Sequence, residues 1–80
     1  MTSEEQAYEF LSATFEDVFG RKVAVHPDLG ARDVPGWDSF AQISIIAATE
    51  EHYKFEFTSR ELDGLRNVGD FVKVVLAKVN

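Results

Sequence analysis

Gly36-Trp37-Asp38-Ser39-Phe40-Ala41-Gln42-Ile43 is the stretch on which the reading of this chain turns. It stands at a junction. Before it lies a segment rich in helix and strand breakers, with Pro27, Gly30, Pro35 and Gly36. After it runs an apolar helical pattern that ends in Glu50-Glu51-His52-Tyr53. Asp and Ser both cap helix N-termini well, and Asp38 is the better-placed cap. Ser39 then falls in the first turn, exposed, with its hydroxyl pointing outward. Ile45, Thr49 and Tyr53 lie along one face of this helix, with Ile46 beside them. Phe40, Ile43 and Ala47 lie along another, which continues to Glu50. A helix apolar over so wide an arc touches neighbours on more than one side.

The rest of the chain supplies those neighbours. Ser3 and Gln6 make a capping box, and Glu4 and Glu5 suit the positive end of a helix dipole. Ala7, Phe10, Leu11, Thr14, Phe15, Val18 and Phe19 then recur at helical spacing up to Gly20, which predicts a helix over residues 4–19. Residues 20–37 form a long connection. Val23, Val25, Leu29 and Val34 give it apolar anchors, so order is expected. Val23-Ala24-Val25 has strand character but no obvious partner. Lys54-Phe55-Glu56-Phe57 alternates like a strand and is too short and isolated to make a sheet. It reads as an extended link that anchors Phe55 or Phe57. Thr58 or Ser59 starts a short helix, with Glu61 completing a capping box from Thr58, Leu62 and Leu65 inward, and Gly64 limiting its length. Asn67 caps a last helix whose stripe is Val68, Phe71, Val72, Val75 and Val79. The expected fold is all-α, an irregular four-helix bundle with three longer helices and one short helix before the last.

Composition narrows function. Eighty residues allow a single domain, 1–80, near the lower limit for folding alone. With no cysteine, neither a disulfide framework nor a thiolate metal site can form, so any thiol chemistry must come from an added group. The net charge of −6, from 14 acidic and 8 basic residues, argues against nucleic acid as a partner and is compatible with basic protein partners. No stretch is apolar enough to span a membrane, and Met1-Thr2-Ser3-Glu4-Glu5 lacks the features of a signal peptide. A cytoplasmic monomer is expected. His26 and His52 are isolated and lack ligand spacing. Gly30-Ala31-Arg32 is no phosphate-cradling motif, and no Ser-His-Asp constellation occurs.

This plan resembles the acyl carrier protein family across essentially the whole chain. The match is densest from Trp37 to Phe57: Asp38-Ser39-Phe40, then Ile43, Ile45 and Ile46, then Glu50-Glu51, an aromatic at Tyr53 and an apolar Phe57. Leu65-Arg66-Asn67-Val68-Gly69-Asp70-Phe71 also looks like the family's approach to its last helix. The departures are specific. Phe40 replaces the usual leucine, Ser44 stands where fatty-acid-synthesis carriers often have glutamate, and Trp37 stands where they usually have a small residue. Trp-Asp-Ser looks more like specialised, free-standing carriers of dedicated pathways.

The resemblance implies a carrier rather than an enzyme. Ser39 would carry 4'-phosphopantetheine from coenzyme A, attached by a phosphopantetheinyl transferase that supplies its own base and metal ion. The terminal thiol would hold an acyl or aminoacyl cargo as a thioester, received from and passed to acyl- or aminoacyl-handling enzymes. Asp38, Trp37 and Phe40 would flank the attachment. Asp38 caps the helix and could also help the transferase; Trp37 either packs under the loop or stands exposed beside the tether. Phe40, Ile43, Ala47, Glu50 and Glu51 would meet partners through an apolar centre and an acidic rim. Phe40, Tyr53, Phe55, Phe57 and Phe71 are candidates to crowd the region where long cargo would enter, which favours a short or polar cargo. The rival reading is an unmodified interaction domain of the same fold, with Ser39 only a residue of the helix start.

Overall fold

The computed structural model describes residues 2–80. Its elements follow in the order α1 (Glu4–Phe19), a single 3-10 turn (Ala31–Asp33), α2 (Ser39–Tyr53), α3 (Ser59–Asp63) and α4 (Val68–Val79). The expected bundle of three long helices and one short one is what forms. No strand is present among the described residues, only one isolated bridge between Gly30 and Asn67.

Local sequence fixes each helix end. The Ser3 hydroxyl accepts from Gln6 N while Gln6 Oε1 accepts from Ser3 N, and Thr58 and Glu61 do the same for α3. Asp38 Oδ1 accepts from Ala41 N at 2.9 Å, and Asn67 Oδ1 from Asp70 N at 2.9 Å. α1 ends at Gly20, whose φ is 70°. α2 ends at Lys54, a non-glycine residue with φ 61°.

The core lies where α1 packs against α2 and α4. Ala7, Leu11, Phe15, Ile45, Phe71 and Val75 are its centre. Two buried hydroxyls spend their protons within their own helices, Thr14 on Phe10 O and Thr49 on Ile45 O. The long loop joins this core through Leu29 and Val34, with Val23 and Val25 partly covered. It also caps α4. Val68 N donates to Leu29 O and Gly69 N to Pro27 O, both at 2.9 Å. Those N–H groups open a helix and have no partner within it. A Cβ at Gly69 would stand 3.0 Å from Pro27 O, so this close approach favours glycine.

Two expectations need correction. Leu62 was expected to face inward from α3, but it is 37% exposed. A helix of five residues has barely one turn to aim inward, and half-buried Leu65 takes the inward place. Phe40, a candidate to crowd the interior, is 79% exposed. Position 40 lies on the side of α2 opposite Ala41, Ile45 and Thr49, the residues that face the core. The other rings do fill space: Phe55, Phe57 and Phe71 meet edge to face, with centroids 5.0 and 6.0 Å apart in succession.

Candidate functional site

Ser39 is the first residue of α2 and is exposed. Its position is set from both sides. Upstream, Gly36 turns the chain with φ 90°, and Asp38 N donates to Gly36 O at 3.0 Å. Downstream, the Asp38 cap holds the first helical turn. None of the side-chain hydrogen bonds among the described residues involves Ser39, so its hydroxyl is free to react. No histidine or carboxylate activates it, and a nucleophile so placed needs a base from elsewhere.

Trp37 combines the two alternatives left open by sequence: it is half-buried against α1 and also lines the cleft beside Ser39. Its ring meets Phe15 edge to face at 5.1 Å and leans on Phe19 at 6.2 Å. Its indole Nε1 donates to Gln42 Oε1 at 2.7 Å, which ties the segment before Ser39 to the second turn of α2. Buried aromatic surface with one polar edge satisfied makes Trp37 a rigid platform.

An open cleft of about 500 Å³ adjoins Ser39. Gln42 and Ile43 of α2 and Trp37 just before it form one side, and Leu65 and Arg66 close it from the link before α4. Sequence reasoning did not single out Arg66 as part of a site. Position 66 meets α2 only because the loop and the α4 cap bring residues 29–31 and 65–68 together, a long-range arrangement without a local signature.

The second face of α2 is open. Phe40 and Ile43 are 79% and 65% exposed, and Ala47 and Glu51 are exposed beyond them. Ser44, between them, donates to Phe40 O at 3.1 Å. Glu50, expected on the rim, has a scaffold contact: it is half-buried, and its Oε2 accepts from Phe57 N at 2.8 Å. His52 stacks on Phe10 with centroids 4.2 Å apart. No group of three metal-ligating side chains occurs among the described residues, and none of their helices is long and apolar enough to cross a membrane.

The site is thus a capped helix start presenting an exposed serine, on a small helical bundle with one apolar helix face left open. The solved structures include a relative with this plan. A holo acyl carrier protein from Geobacter metallireducens, determined by solution NMR, superposes with a TM-score of 0.85 at 32% sequence identity, covering 91% of this chain and 85% of that one. No family model and no curated protein matches the chain. The identity and coverage show that the chain belongs to the acyl carrier protein family, and it is a carrier protein rather than an enzyme.

Proposed function

We propose that Ser39 is the attachment point of 4'-phosphopantetheine. On this reading the chain, one carrier domain over residues 1–80, delivers a thioester-bound acyl or aminoacyl group between the enzymes of a dedicated cytoplasmic pathway. The observation that carries the reading is the free, exposed Ser39 hydroxyl at a helix start fixed by the Asp38 cap and the Trp37 platform. In the attachment, a bond forms between Ser39 Oγ and the pantetheine-side phosphorus as the pyrophosphate bond of coenzyme A breaks and adenosine 3',5'-bisphosphate leaves. The hydroxyl proton passes to a base of the phosphopantetheinyl transferase. The group supplies a thiol that this cysteine-free chain lacks.

The open face of α2 is the surface that fits the transferase and the loading and transferring enzymes. Phe40, Ile43 and Ala47 supply apolar contact and Glu51 an acidic edge, while Glu50 acts chiefly by holding the link to Phe57. The edge-to-face rings of Phe55, Phe57 and Phe71 occupy interior space, which supports a short or polar cargo held outside the core.

Incubation with coenzyme A and a broad-specificity transferase should add one group to the wild-type chain and none to Ser39→Ala. The fold of that variant should persist, because Asp38 still caps α2. Wild-type protein that stays at its apo mass would favour an unmodified interaction domain instead.

A further inference from the structure

Arg66 is the one basic residue among those lining the cleft beside Ser39. The chain carries 14 acidic residues, yet the one ion pair among the described residues joins Lys78 to Glu61. No carboxylate therefore lies within ion-pair distance of the Arg66 guanidinium, and Arg66 lines the cleft beside Ser39. Asp70 sits close by, but its Oδ2 accepts from the Arg66 backbone N–H at 2.9 Å rather than from the guanidinium. Gln42 faces the same cleft. Its Oε1 is engaged by Trp37, which turns its NH₂ group into a spare donor. The cleft thus brings together a planar cation and an amide donor beside the apolar residues Trp37, Ile43 and Leu65.

We propose that this cleft is a landing site for the arm itself: Arg66, assisted by the Gln42 amide, binds the phosphodiester formed on Ser39, and the pantetheine chain beyond it lies along the apolar wall. The inference rests on Ser39 being the attachment point. A phosphodiester on Ser39 sits next to the Asp38 carboxylate on a chain of net charge −6, an arrangement repulsive unless a cation offsets it. A guanidinium suits phosphate oxygens through paired N–H donors, better than an ammonium does. Arg66 is accordingly a positioning residue. It sets where the arm rests between visits to partner enzymes and takes no part in their chemistry.

The test compares apo and holo forms of the wild type, Arg66→Gln and Arg66→Lys, each with its mass verified first. The holo form carries only a free thiol, so any effect belongs to the arm and not to a cargo carboxylate. In the wild type, attachment should shift the amides of Leu65 and Arg66 and the Gln42 side-chain NH₂, in addition to residues 37–41. The ³¹P resonance should move when Arg66 is replaced by Gln. Holo Arg66→Gln should lose the shifts at residues 65 and 66 and keep those around Ser39, and Arg66→Lys should retain them in part. The fold is not at stake, because the Arg66 contact to Asp70 is made by its backbone. Shifts confined to residues 37–41 in holo wild type, or shifts at 65 and 66 that persist in Arg66→Gln, would overturn the landing site and leave the carrier reading standing. A chain whose mass never rises would sink both.

Discussion

The two faces of α2 have nearly the same chemistry and opposite fates. Ala41, Ile45 and Thr49 are buried against α1 and the core, while Phe40, Ile43 and Ala47, on the other side of the same helix, stay exposed. Hydrophobicity alone would have covered both. The inner face makes the bundle, and the outer face is surplus to folding, held open beside Ser39. That open face is where the proposed partner contact falls.

The sharpest way to break this comparison is a pair of truncations two residues apart. Ile45→Ala should cost about 2–5 kcal/mol, since Ile45 is fully buried. Ile43→Ala should stay within about 0.5 kcal/mol. Urea denaturation of the two variants measures both, and equal losses would mean that the outer face is structural. Next in size is Glu50→Ala. It strips the acceptor from Phe57 N and should cost about 1.5–3 kcal/mol, as for hydrogen bonds to charged groups. A variant as stable as the wild type would return Glu50 to the partner surface.

Phe40→Ala probes the outer face directly. Its melting temperature should match the wild type, while its affinity for the modifying transferase falls about tenfold, roughly 1.4 kcal/mol, mainly through faster dissociation. Unchanged binding would remove Phe40 from the contact.

The smallest effect lies far from α2. The Thr58 backbone N–H holds the Glu61 carboxyl below its ordinary value of 4.5, against an opposing push from desolvation, and Lys78 adds to the lowering. A depressed folded-state value stabilises the fold fully above the ordinary value, and the gain is lost as pH falls through the lower one. Melting temperatures of wild type and Glu61→Gln, taken from pH 6 downward, should converge in acid. A constant gap would deny the linkage.

Much of the fold is legible in the sequence because helix ends are local events. Ser3 with Gln6, Asp38, Thr58 with Glu61, and Asn67 each act within three residues, and each cap forms as the spacing predicts. The stripes of α1 and α4 repeat long enough to define a face. α3 does not, which is why Leu62 escaped prediction. The exposed position of Ser39 could be read from the same local logic. What surrounds it could not. The Trp37 contacts with Phe15 and Phe19 and the approach of Arg66 depend on the long loop being stitched to α4 through Leu29 and Pro27. Glu50 hid its role for a similar reason. Its partner Phe57 lies seven residues away, beyond the end of its own helix, where no periodicity points.

One measurement tests the central claim most directly. Wild-type protein is treated with coenzyme A and a phosphopantetheinyl transferase, weighed intact, then cleaved with trypsin and fragmented. Cleavage after Arg32 and Lys54 releases residues 33–54, a peptide that holds both Ser39 and Ser44. The account predicts one phosphopantetheine per chain, located on Ser39. An unmodified chain, or a group found on Ser44 or on any other peptide, would contradict it.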